Sequence, residues 1–364
     1  MSLQDQIDKM RKEIRTDGYG MSIGEWISLY EDKEIDIHPE FQRFFRWSNK
    51  QKSNLIESIL LGIPIPPIFV SQRNDGVWDV VDGLQRLSTL YQFFGILKDE
   101  GNHNITPLIL EKTKYLPSLE GKKWNDPDDK DNSFTAEQRR LIKRSKIDVS
   151  IVLRESDDIA KFELFQRLNT GGSDLTPQEV RNCILVMANR DFYEWLRNLA
   201  NYPQFQESIS LSDKNIVEQY DLELALRFMI FSTIDIDSYD RSADIGEYIT
   251  AEMLTIAKDQ TFDRTMFEQR FKGTFDILAQ STGSNTFRRY ADETFKGGFL
   301  LSPFEVIAYG LSYNYPNFPT TDQITENVKQ LYSHPTYIQW SGSGVRANSR
   351  IPYLIPLGRE LFSA

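Results

Sequence analysis

Hydrophobic positions along the first half of the chain change period several times, and each change predicts an element. Residues 21–62 read as a short helix, a strand-like IDIHPEF and a second helix. In that second helix Leu55, Ile56, Ile59 and Leu60 share a face, Ser48 stands where an N-cap belongs, and Gly62 stops it. IPIPPIFVSQ follows, its prolines fixing an extended approach to a strand. Arg73-Asn74-Asp75-Gly76 is a hairpin turn signal that returns the chain as VWDVV. After Gly83 the period becomes 3.6, with Leu87, Leu90, Phe94 and Leu97 on one face. VVDGLQRLSTL, residues 80–90, is therefore strand, turn and helix.

Beyond it, residues 99–135 lose periodicity and are rich in Lys, Asp, Asn and Gly, which predicts a long excursion. A basic helix over about 135–145 leads into a strand, IDVSIVLR at 147–154. SDDIAKFELFQRLN starts a helix capped by Ser156 or Asp157. Thr176, Pro177 and Glu179 fall at N-cap, N1 and N3, a capping box with proline where it is tolerated. From about 178 onward the pattern is nearly all helical, interrupted near 203, 282 and 341. SGSGVRANSR, 341–350, reads as a loop carrying Arg346 and Arg350. The expected class is α+β: an N-terminal domain over 1–183 and a mostly α-helical C-terminal domain over 184–364.

Composition narrows the function. With 364 residues, 40% of them hydrophobic, the chain can bury a sizeable core. No window approaches a membrane-spanning length, the first twenty residues lack the apolar middle of a signal peptide, and the lone Cys183 excludes an internal disulfide framework. The expected address is the cytoplasm, with no membrane partner. A net charge of −11 opposes binding DNA through a broad basic coat. Local basic sites remain: RRLIKRSK at 139–146 carries five positive charges, and Arg43, Arg46, Lys50 and Lys52 form a second cluster. Three histidines (His38, His103, His334) with no CxxC or HExxH stretch leave no zinc site and no histidine-metal nuclease set.

Three stretches carry candidate chemistry. In the turn at 82–86, the free N–H groups of a helix start favour an anion, Gly83 permits close approach, and Arg86 could grip phosphate oxygens. Asp82 could hold a metal, a ribose or a water; in a purely structural reading it caps the helix and Arg86 pairs with a surface acid. In FQRLNTGGSDLTPQEVRN, capping accounts for Thr176 and Glu179, whereas Asn169 with Gly171 and Gly172 can present an amide and several N–H groups to a phosphate or a metal-bound ligand. In PEFQRFFRWS, Arg43 and Arg46 sit among core aromatics and call for an acidic or phosphate partner, Asp82 being one candidate acid for Arg43.

Taken together these stretches resemble the N-terminal domain family of GmrSD-type, modification-dependent restriction systems. The resemblance rests on Pro39, Phe41, Gln42, Arg43 and Trp47, on residues 55–70, and on the run Asp82-Gly83-Leu84-Gln85-Arg86-Leu87-Ser88-Thr89-Leu90. A fourth motif adds Phe165, Asn169, Gly171, Gly172, Leu175, Glu179, Arg181 and Asn182. It implies a ParB/sulfiredoxin-like fold in which Arg43, Gly83, Gln85, Arg86, Asn169, Gly171 and Gly172 bind an NTP with Mg²⁺. Asp82, Gln85 and Arg86 would then support NTP hydrolysis in a regulatory module of a bacterial DNA-defence system. Leu84 replaces the family's first motif glutamine and Leu168 stands where ParB-type proteins carry Glu, so binding is expected while hydrolysis and metal binding stay open. No cysteine lies in the turn, which excludes sulfiredoxin chemistry, and the histidine count leaves no room for the His-Asn-His nuclease domain of fused relatives. The alternative is a non-catalytic DNA-recognition or partner-docking protein that works with a separate nuclease subunit.

Overall fold

The computed structural model describes residues 2–5, 15–37, 47–99, 101–154, 156, 176–242, 244–342 and 344–364, without the side chains of Met187 and Ser238. Two compact units divide the chain, Met1–Asp174 and Leu175–Ala364.

The first unit is built on a mixed five-stranded sheet. Its strands are β1 (Thr16–Ser22), β2 (Ile35–Asp36), β3 (Ile68–Gln72), β4 (Trp78–Asp82) and β5 (Lys146–Val152), in spatial order β1-β5-β3-β4-β2. β3 runs antiparallel to β4 and parallel to β5, so the chain must travel from 72 to 146 before its central parallel pair closes. The turn at 73–76 behaves as its sequence requires: Gly76 takes φ +92° and the Arg73 N–H donates to the Val77 carbonyl. Helices α1 (Ile23–Glu31) and α2 (Asn49–Leu61) both open in capping boxes, Ser22 with Glu25 and Ser48 with Gln51. Gly62 ends α2 in a left-handed conformation, as the pattern predicts.

α3 (Leu84–Phe94) leaves the end of β4 through Gly83 and buries Leu87, Leu90, Tyr91 and Phe93 against the sheet. The expected face Leu87–Leu90–Phe94–Leu97 is kept in part: Leu97 is buried beyond the helix end, while Phe94 is only half-buried. The long excursion is irregular yet anchored, because the buried Glu57 carboxylate accepts from the N–H groups of Tyr115 (2.8 Å) and Leu116 (2.9 Å). α4 (Ala136–Arg144), capped by Thr135 and Gln138, then returns the chain to β5.

Among its described residues the second unit is mostly helical, with one small hairpin. α5 (Pro177–Ala200) opens in the expected Thr176–Glu179 capping box and is broken at Asn189, whose φ of −160° lies outside the helical region. The 183/184 position falls inside this helix, whereas the units divide at 174/175. α6 (Pro203–Ile209), α7 (Asp213–Val217), α8 (Tyr220–Phe231), α9 (Ile245–Lys258) and α10 (Arg264–Ser281) follow. The hairpin β6 (Arg289–Ala291) and β7 (Thr294–Lys296) precedes α11 (Leu301–Asn314), α12 (Thr321–Leu331), α13 (Pro335–Trp340) and α14 (Ala347–Leu361). Phe205, Phe228, Phe271, Phe275 and Phe304 interlock as its core. α11 and α14 meet backbone to backbone: a Cβ on Gly310 would lie 2.2 Å from the Gly358 carbonyl oxygen.

One expectation is corrected here. Residues 347–350 are not loop, because α14 starts at Ala347 and Arg350 reaches inward to the buried Glu305, Nε to Oε2 at 2.6 Å and Nη2 to Oε1 at 2.8 Å. No helix among the described residues is long and apolar enough to cross a membrane.

Candidate functional site

The turn between β4 and α3 has a conformation only glycine adopts readily. Gly83 sits at φ +102°, ψ 8°, and a Cβ there would lie 2.3 Å from Ile68 Cδ1. Just before it the β3–β4 register slips: Phe69 pairs with Asp82 and Val70 with Val80, leaving Val81 as an extra residue. In an unbroken strand Asp82 would share the face of the buried Val80. The bulge re-aims it, and its side chain is 36% exposed.

Capping by Asp82 does not occur. The N-cap is Gly83, with no side-chain hydrogen bond to the helix start, and the first intrahelical bond runs from the Leu87 N–H to the Gly83 carbonyl. The N–H groups of Leu84 and Arg86 thus have no carbonyl partner within the helix, and its first turn lies at the positive end of the dipole. Asp82 instead accepts from Arg86 Nη2 at 2.7 Å, and the same nitrogen donates to the Pro67 carbonyl at 3.1 Å. Arg86 Nε is buried with no acceptor among the described residues. Gln85 Oε1 accepts from the Trp47 N–H at 3.4 Å, and the Thr89 hydroxyl closes back on the Gln85 carbonyl at 2.6 Å. One helical turn further along, Lys52 Nζ donates to Gln92 Oε1 at 2.8 Å, and burial pushes its ammonium below the usual lysine range.

Asp82, Gly83, Gln85 and Arg86 therefore share one corner of the first unit. Arg43, Asn169, Gly171 and Gly172 lie outside the described residues, as do His38, Arg46 and the expected helix after Ser156. Two contributors to the corner were not expected. Pro67 enters through its carbonyl oxygen, which no residue type announces, and Ile68 through packing, for which the apolar run at 68–70 was the available signal.

Of the later motif, Arg181 and Asn182 join a buried network in the second unit. Arg181 Nη2 donates to Glu223 Oε2 at 2.9 Å and Arg227 Nε to Glu223 Oε1 at 2.7 Å, while Gln178 Nε2 reaches Asn182 Oδ1 at 2.8 Å. No group of three or more His, Cys, Asp or Glu among the described residues could hold a metal ion.

No curated protein and no solved structure shows significant similarity to the chain. Residues 23–186 match the family model described as GmrSD restriction endonuclease, N-terminal domain, a span that holds the whole sheet after β1 and ends within α5. Residues 23–186 thus carry a GmrSD N-terminal domain, which indicates a restriction-system-related protein.

Proposed function

We propose that the corner at Asp82–Arg86 binds the phosphates of a nucleoside triphosphate, and that the chain is a nucleotide-binding regulatory module of a bacterial DNA-defence system. The finer fold assignment belongs to this proposal: a ParB/sulfiredoxin-like arrangement in which Arg43, Asn169, Gly171 and Gly172 complete the site. One observation carries the reading. α3 opens on a left-handed glycine without a side-chain cap, so the start of the helix and its dipole meet the Arg86 guanidinium at one turn.

Magnesium would neutralise charge on the outer phosphates. The donor set suits that ion: Mg²⁺ is commonly held by one or two carboxylates with substrate phosphates and water, and Asp82 supplies one half-exposed carboxylate. Arg86 would hold phosphate oxygens, and Gln85 would orient a water if the bound nucleotide is hydrolysed. Titration calorimetry of each NTP, with and without Mg²⁺, tests the proposal, with phosphate release followed in parallel. Arg86→Ala should weaken binding by at least about tenfold, the loss of one charge-assisted bond, and Arg86→Lys should restore part of it. No binding to any NTP, or unchanged binding in Arg86→Ala, defeats the proposal.

A second reading, DNA recognition beside a separate nuclease subunit, is favoured by the five cations of residues 139–146, of which Arg140, Lys143, Arg144 and Lys146 are exposed.

A further inference from the structure

The basic helix does not face solvent as a uniform charged stripe. Ala136, Arg139, Arg140 and Lys143 follow one side of α4 and form a wall of a groove of about 600 Å³. The opposite wall is Phe94, Trp124 and Asn125. Phe94 and Trp124 meet in a T-shaped contact, centroids 4.5 Å apart at 76°. Trp124 is held from behind by the buried Phe93 at 5.6 Å and Phe134 at 6.4 Å, so the indole is a fixed, half-exposed surface.

The polar groups divide into two kinds. Arg139 is structural: its Nη1 donates to Asn125 Oδ1 at 2.7 Å and to the Phe134 carbonyl at 2.9 Å, tying α4 to the loop that carries Trp124. Arg140 and Lys143 make no ion pair or side-chain hydrogen bond among the described residues. Asp126 and Asp129, just after Asn125, turn to Lys123 at 2.8 and 3.2 Å, and no carboxylate among the described residues lines the groove. The result is a rigid aromatic surface flanked by two uncommitted cations.

We propose that this groove binds single-stranded nucleic acid, with an unpaired base against Trp124 and Phe94 and the flanking phosphates on Arg140 and Lys143. Stacking on aromatic rings beside a positively charged track is how unpaired strands are held without sequence readout. A duplex hides the π-faces that such rings need, and the net charge of −11 opposes a broad phosphate contact. Phe94 closes the C-terminal end of α3, about 15 Å along the helix from the turn that opens it, so the groove is a separate site from the proposed nucleotide corner. The inference deepens the nucleic-acid reading and is independent of the nucleotide reading.

Fluorescence anisotropy of a labelled oligothymidylate of about 12 nucleotides, titrated with the full chain, is the test. Saturable binding is expected. The pair Arg140→Ala/Lys143→Ala should flatten the slope of log affinity against log salt by about 1.4, at roughly 0.7 per phosphate on a single strand. Trp124→Leu should weaken binding about tenfold with the salt slope kept, and Trp124→Phe should retain it within about twofold. All three should keep the wild-type circular dichroism and NTP titration, which separates this result from the fate of the corner at 82–86. The inference is overturned if the charge pair binds like wild type, even where the chain still binds DNA. It is equally overturned if a blunt duplex or polyglutamate competes as well as the oligothymidylate, the latter pointing to an acidic peptide.

Discussion

Gly83→Ala tests whether the corner is built as described. Two penalties add. A residue with a Cβ held at φ +102° costs about 1–3 kcal/mol of backbone strain. The new methyl would also lie 2.3 Å from Ile68 Cδ1, and since Ile68 is fully buried, the overlap costs about 1–3 kcal/mol more. The expected destabilisation is about 4 kcal/mol. Ile68→Val removes the offending Cδ1 and by itself costs about 1 kcal/mol. In that background Gly83→Ala should retain only its backbone part, about 2 kcal/mol, giving a coupling of about 2 kcal/mol between the two positions. Because the chain has two units, a single global transition is a poor readout. Native-state hydrogen exchange on peptides covering Leu84–Phe94 reports the right opening free energy. If the two substitutions add to within about 0.5 kcal/mol, the Ile68 contact is not what demands glycine, and the reasoning fails.

Three further outcomes follow from buried charge and thiol groups. Burial opposes ionisation of Glu57, yet hydrogen bonds from Thr113 and the N–H groups of Tyr115 and Leu116 win and hold its carboxyl below the usual range. Its contribution is therefore complete above the unfolded value of about 4.3 and is lost as pH falls through the lower folded value. Glu57→Ala should cost about 3 kcal/mol at neutral pH by urea denaturation, a gap that narrows below about pH 4 and that would contradict the anchor if it did not. In the second unit, Glu305→Leu strands the Arg350 guanidinium and should cost about 3–5 kcal/mol by calorimetry, whereas Glu305→Leu/Arg350→Met should recover most of it; a double variant as unstable as the single refutes the pairing. Cys183, 7% exposed, should resist thiol reagents until the second unit unfolds, and rapid labelling of the native protein would contradict its burial.

Legibility in the sequence followed how local the cause was. The 73–76 hairpin, the Ser48 and Thr176 caps and the Gly62 stop were readable because turn and capping chemistry acts within four residues. β1 was not readable: five of its seven residues are exposed, and it exists because it pairs with β5, more than a hundred residues away. Arg350 was misread for a related reason. Pro352 and Pro356 within α14 disguise its period, and the carboxylate that draws Arg350 inward belongs to α11. At the corner, a surface acid was expected for Arg86 but not which one: Asp82 reaches it from the end of β4 across the glycine turn, and the Pro67 carbonyl that seats the guanidinium carries no signature at all.

That pair also decides whether the corner can change partners. Asp82 is 36% and Arg86 14% exposed by side chain, and a pair with its carboxylate this open to solvent contributes about 1 kcal/mol or less. The Pro67 carbonyl keeps the guanidinium at the strand end whether or not Asp82 stays bound to it. Exchanging the carboxylate for phosphate oxygens would thus sacrifice little and gain charge-assisted bonds of about 1.5–3 kcal/mol each. The exchange would also free the partly exposed Asp82 carboxylate to meet a metal riding on the phosphates. Asp82→Asn separates the two roles by sign. Without Mg²⁺ it removes a competing anion from Arg86 and should tighten binding at the proposed site; with Mg²⁺ it would remove the proposed metal ligand and should weaken it. A shift of the same sign in both conditions would mean that Asp82 does only one of these jobs, and a null effect in both would leave the pair a structural feature of the turn.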